Sequence, residues 1–228
     1  EALFNLTNRG NRDEKDRVLD ECMAIYDRVA SQFPGSDYVD DALYNKAWAL
    51  ITMERKEEAV PIFERIVSDH PDGRYGPQSQ FTLGDYYYGL KEYDMATASY
   101  ERFLELFPID KLQGRDRQLV SKAETLLGHL AEIDAYNLYA QGEVLFDKKQ
   151  YEDAIEIFKE VQVKYPESDQ AVNALVNIGA AYMAQEEYRQ AGAVFQEVVD
   201  KYSEVSKYLQ QVDFSKQQLE VMQEARVL

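Results

Sequence analysis

The chain has 228 residues, 45% of them hydrophobic and 12% aromatic, with 17 tyrosines. Its formal net charge of −17, from 42 acids against 25 bases, repels nucleic acid and anionic lipid and suits a basic partner or none. No apolar run approaches the roughly 18 residues that a membrane helix needs, so direct membrane insertion is not expected.

The chain opens on Glu1, with no signal peptide or lipid-attachment cysteine, and reads as a processed or truncated piece of something longer. Residues 1–36 read as a partial repeat, with 1–10 available for a first helix and Cys22, Tyr26, Val29 and Pro34 marking a second. Cys22 lies 37 residues before Ala59 and takes the same slot, which makes it a packing residue rather than a nucleophile or redox centre. Asn5-Leu6-Thr7 fits the glycosylation triplet, but a three-residue match is unspecific.

Residues 37–110 hold two units. Tyr38, Leu43, Ala47 and Leu50 recur at helical spacing, and 80–90 repeats the pattern. The polar stretches Glu54-Arg55-Lys56 and Lys91-Glu92 separate each first helix from a second. His70-Pro71 and Phe107-Pro108 close the units, because a residue before proline is pushed out of the α region.

Residues 111–131 break the rhythm. Pro108 and Pro166 are 58 apart, 21 more than the 37-residue period. Leu119, Ala123, Leu126, Leu130, Ile133, Asn137, Ala140 and Val144 keep one helical spacing, which favours a single helix over 116–147, about 48 Å long. A separate inserted helix, broken at Gly128, is the alternative. Two further units fill 132–204. Tyr151, Ala154, Ile155, Phe158 and Val161 mark a second helix, 172–183 a first, and Gln185-Glu186-Glu187 a turn. Continuing the period places Lys216 at the small-residue slot, where close packing fails. The segment 205–228 is therefore expected to cap the array, with Val205, Leu209, Val212, Leu219 and Met222 as its apolar edge.

The units align residue for residue. Ala59 and Ala96 are 37 apart, as are Ala154 and Ala191; each stands four before an aromatic: Phe63, Tyr100, Phe158, Phe195. Twelve residues upstream stand Ala47, Gly84, Gly142 and Gly179, small enough to let paired helices approach, while the aromatics are expected to fill space toward the next unit. A period of this size points to stacked helix pairs, an all-α solenoid.

These positions resemble the tetratricopeptide repeat over about 34–205. Phe33-Pro34-Gly35-Ser36-Asp37-Tyr38, Tyr165-Pro166-Glu167-Ser168-Asp169 and Ala42-Leu43-Tyr44-Asn45-Lys46-Ala47 look like the bacterial periplasmic subgroup, which includes outer-membrane assembly lipoproteins and Tol–Pal-associated proteins. The resemblance implies a right-handed superhelix of helix pairs, a periplasmic location (with the cytoplasm as alternative) and a non-catalytic scaffold that binds a protein or peptide. By family geometry the first helices line a concave face built from Tyr44, Asn45, Trp48, Ile51, Phe81, Asp85, Tyr88, Tyr136, Tyr139, Glu143, Phe146, Asn173, Asn177 and Met183. Chaperone-tail-binding relatives hold a terminal carboxylate with basic residues, but Asp41, Gln78 and Tyr136 stand where those would be needed, so that clamp is absent.

Leu119, Leu126, Leu127 and Leu130 form a candidate docking stripe on the insert, beside the bases Lys111, Arg115, Arg117 and Lys122. A structural assembly subunit, a homo-oligomer joined through this helix or the array ends, is the second reading. A ligand-capturing domain attached to an enzyme is the third. Catalysis has little support: His70 and His129 lack ligand-spaced companions, and no phosphate-cradling loop occurs. No cofactor or metal is expected.

Overall fold

The computed structural model describes residues 12–36, 38–70 and 73–227; the readings placed on 1–10, on Asn5-Leu6-Thr7 and on Pro71 lie outside the described residues. Those residues form α-helices joined by short turns, and no strand occurs among them. The helices are α1 (Arg12–Gln32), α2 (Val39–Thr52), α3 (Lys56–Asp69), α4 (Gly76–Leu90), α5 (Tyr93–Leu106), α6 (Asp116–Asp147), α7 (Tyr151–Lys164), α8 (Asp169–Ala184), α9 (Tyr188–Tyr202) and α10 (Leu209–Val227), with a short 3-10 turn at Ser206–Tyr208 before the last. The fold is all-α, a tetratricopeptide-like array of helix pairs. It divides into two compact units, Glu1–Leu127 and Gly128–Leu228.

In the first unit α2 packs on α1 and α3, α3 on α4, and α4 on α5. In the second, the end of α6 lays Leu138, Tyr139, Leu145 and Phe146 against the core around Ala154, Phe158 and Val161. There α7 packs on α8, α8 on α9, and α9 on α10.

The turns inside the pairs share one backbone. Glu54, Lys91, Lys149 and Glu186 all adopt the left-handed conformation, with φ between 62° and 63°. Each turn repeats the same two bonds: the Arg55, Glu92, Gln150 and Glu187 amides donate to Leu50, Tyr87, Leu145 and Tyr182 carbonyls at 2.8–3.0 Å, and the left-handed residues donate to Ile51, Tyr88, Phe146 and Met183. This closure satisfies the last carbonyls of the first helix and reverses the chain into the second. No glycine occupies these positions, so each turn carries a backbone cost of about 1–2 kcal/mol that packing of the pair must outweigh.

The small-residue slots are closed. Ala47, Ala96, Ala154 and Ala191 are 0% exposed and Ala59 1%. A Cβ built on Gly142 would fall 2.5 Å from Cε1 of Phe158, and one on Gly179 would fall 2.7 Å from Cε1 of Phe195. Gly84 meets the Tyr100 ring in the same way. The same rings also face the next repeat, as expected: Phe195 lies 5.9 Å from Phe214 on α10, and Phe158 shares a core with Ala174 and Ile178 of α8. Tyr100, Phe158 and Phe195 lie on the glycine of their own pair, where the missing Cβ leaves room for a ring, and Phe63 shares a core with Ala47. Phe63, Tyr100, Phe158 and Phe195 are at most 2% exposed, and burial of such a side chain contributes about 1.5–3 kcal/mol.

Buried Asp40, at the start of α2, accepts from the Asp41 amide at 3.0 Å and from the Arg74 amide at 3.1 Å. It thereby ties the loop after α3 to the helix one pair earlier. At the C-terminus the period lands on Lys216, which is exposed, while its neighbour Ser215 is fully buried. The 3-10 turn shifts the register of α10. Val212 and Met222 take the interior, but Leu209 is 49% exposed and does not belong to the apolar edge expected from sequence.

Candidate functional site

In the first unit the first-helix face is an aromatic cluster. Tyr44 stacks on Tyr75 at 4.1 Å between ring centroids, and makes edge contacts with Trp48 at 6.1 Å and Phe63 at 6.0 Å. Phe63 is held by its repeat slot, Tyr44 lies half-buried over it, and Trp48, one residue past the small slot, stays 39% exposed. Beside Trp48 opens a hollow of about 210 Å³, walled by α2, α3 and α4 through Ile51, Val60, Phe63, Leu83, Asp85 and Tyr86. A larger and more polar hollow of about 540 Å³, with Glu64, Arg65 and Arg102 among its walls, lies among α3, α4 and α5.

Asp85 stands on the wall of the smaller hollow. The Tyr100 hydroxyl donates to its Oδ1 at 2.6 Å. One side of Asp85 reaches solvent; enclosure of the other raises its carboxyl above the ordinary range, against lowering by the Tyr100 bond and the Lys122 ammonium. Burial, and then Asp85 as its acceptor, push the Tyr100 phenol well above its usual range. Asn45 is exposed and its amide donates to the Asp41 carbonyl at 2.7 Å; Tyr88 is half-buried, 6.0 Å from the Tyr93 ring. Phe81 corrects the sequence reading. It is 8% exposed, against Tyr100 and Phe103 at 5.4 and 5.7 Å, and faces the interior rather than the groove.

In the second unit Tyr136 is 58% exposed, while Phe146 packs edge-on against Tyr151 at 5.3 Å. Tyr139 is half-buried, and burial, then the neighbouring Glu143, raise its phenol above the usual range. Its hydroxyl accepts from Asn177 Nδ2 at 2.8 Å. Asn173 accepts from Gln211 Nε2 at 2.8 Å. The two asparagines are thus occupied in bonds to neighbouring helices. Of the insert's leucines, Leu119, Leu126 and Leu127 are half-buried, and Leu130 is 1% exposed. Leu130 is therefore core and not part of a docking stripe.

Sequence reasoning missed Tyr75 and Tyr86. Tyr75 precedes α4 and so lies outside any helical period. Tyr86 was obscured by its neighbours, since three consecutive tyrosines, 86 to 88, give no facial signal. Among the described residues no group of three or more His, Cys, Asp or Glu could hold a metal ion, and no helix is long and apolar enough to cross a membrane.

Two family models match the chain. One, YfiO, described as outer membrane lipoprotein, matches residues 36–114. The other, a tetratricopeptide repeat model, matches residues 139–206. No curated protein matches the chain. Among solved structures it is similar to the TPR2AB-domain:pHSP90-complex of yeast Sti1, at 17% identity over 99% of this chain and 86% of that one, with a TM-score of 0.39. It is similar also to YrrB, described as a TPR protein with an unusual peptide-binding site, at 17% identity over 95% and 98%, with a TM-score of 0.34. At scores this low nothing is inferred from either.

Proposed function

The chain is a tetratricopeptide-repeat protein whose residues 36–114 match the outer membrane lipoprotein family, and from that premise we propose that it is a non-catalytic scaffold binding a protein or peptide segment. The observation that carries the reading is Trp48, left 39% exposed over a largely apolar hollow while Ala47 and Phe63 beside it are buried. Tryptophan and tyrosine offer large contact area at little rotamer cost and dominate binding anchors. Asn45, Trp48, Asp85 and Tyr88 in the first unit, and Tyr136, Glu143 and Phe146 in the second, are the side chains offered to the partner. The lipoprotein match supports a periplasmic location.

The test is Trp48→Ala. Loss of partner capture from a periplasmic extract, with melting temperature and mass unchanged, supports the scaffold; capture at the wild-type level defeats it. Leu209, Phe214 and Val221, 49%, 40% and 55% exposed on α10, favour a second reading, self-association through the array end. Light scattering decides it: a monomer at all concentrations removes that reading.

A further inference from the structure

Resting on the reading that this face binds a protein segment, we propose that the hollow beside Trp48 takes a lysine or arginine side chain of that segment, its aliphatic stem on the aromatic wall and its cation on Asp85. The hollow, about 210 Å³, has the size of one side chain, and most of its wall is apolar: Trp48, Ile51, Val60, Phe63 and Leu83. Asp85 is the one acid on that wall, and the Tyr100 bond at 2.6 Å holds it in place. It has no ion-pair partner among the described residues.

The surrounding charges agree. Glu57 and Glu92 act on Tyr86, which shares the wall. Lys56 also lines the hollow and Lys122 acts on Asp85 from α6, yet neither closes an ion pair with it. An apolar anchor would cover Asp85 and leave a desolvated charge unpaired. An acidic one would be repelled. A long side chain with an apolar stem and a cationic tip satisfies both the wall and the carboxylate, and Trp48 and Tyr86 can add cation–π attraction. Among the four full repeats the fixing hydroxyl belongs to this one, since Tyr100 stands where the other three carry Phe63, Phe158 and Phe195.

Phage-displayed random dodecapeptides selected on the purified 228-residue chain provide the test. Peptides whose binding is lost with Trp48→Ala are those that use the groove. Among them an arginine or lysine should recur at one position. Replacing it with citrulline or norleucine should weaken binding roughly tenfold, as expected for losing a charge-assisted pair. In Asp85→Asn, which keeps an acceptor for Tyr100, the same replacement should change binding by less than about twofold. Trp48-dependent peptides with no basic position, or without the penalty in the wild-type chain, overturn the basic anchor and leave the groove reading standing. A penalty that persists undiminished in Asp85→Asn, with wild-type melting, also overturns it. Finding no Trp48-dependent peptide overturns both. The wild-type comparison decides even if the variant melts early.

Discussion

Asn177 donates from its side-chain amide to the hydroxyl of Tyr139, 2.8 Å away in space and 38 positions away in sequence. The bond belongs to a series in the second unit. Asn173 and Gln211 are bonded 38 apart, Lys207 and Asp169 also 38 apart, and the Asp169 amide donates to Glu132 37 residues earlier. Equivalent turns of successive first helices are thus stitched to each other by side chains. Asn177→Ala should cost about 1 kcal/mol, the typical net value of one such bond. Tyr139→Phe should cost a similar amount, and the double variant less than the sum. Urea unfolding of the four proteins measures this, and strict additivity would mean that the bond contributes nothing.

Gly142→Ala should destabilise by about 1–3 kcal/mol although alanine is the better helix former, because its Cβ would meet the Phe158 ring at 2.5 Å. Gly128→Ala provides the contrast. It is helical and exposed with nothing within 4 Å, and should stabilise by about 0.5–1 kcal/mol. Thermal melts of the two variants should move in opposite directions.

Lys149→Gly should raise the melting temperature, because glycine adopts φ 62° without the strain of a Cβ. The net gain should be about 0.5–1 kcal/mol after the entropy cost of glycine. Lys149→Val should lose stability by about 1 kcal/mol or more, since a β-branched side chain is least tolerated there. Equal melts for the two variants would remove the left-handed turn as a source of strain.

Two acids should respond to pH with opposite sign. The hydrogen bond from Lys207, then that from Tyr208, hold the Asp169 carboxyl below its ordinary range. Its stabilisation is present above the unfolded value of about 3.9 and lost as pH falls through the lower folded value. Because the pair is exposed, the effect should be at most about 1 kcal/mol and weaken with salt. Asp85, raised by enclosure, contributes stability that is present below about pH 3.9 and lost as pH rises through its folded value. Unfolding midpoints of Asp85→Asn should therefore be flatter than wild type over that rise and change little otherwise. A wild-type slope in the variant would show that Asp85 is not the titrating group.

The helix pairs and their slots could be read from the chain because two periods coincide: the helical turn, and the 37-residue recurrence of a small residue opposite an aromatic. The face of a given side chain could not. Tyr44 and Phe81 both stand three before the small slot, yet Tyr44 is half-buried and stacked on Tyr75, whereas Phe81 is buried on Tyr100 and Phe103. The phenol of Tyr44 favours a wet edge, whereas Phe81 has no polar atom to satisfy. The left-handed turns were hidden because their residues are Glu and Lys rather than the usual glycine. Ser215 was missed by one position because it stands 36 residues after Gly179, one short of the period, with the 3-10 turn at Ser206–Tyr208 between them.

The four matching turns restrict how this chain can drift. Any of their side chains can be exchanged at modest cost, but adding or removing one residue at Lys91 would rotate the following helix by about 100°. Tyr100 would then leave Gly84, and Ala96 would turn from the interior toward water. Related chains should therefore differ freely in the identity of these residues and scarcely at all in their number, and an alignment gap at such a turn would mark a pair that no longer closes.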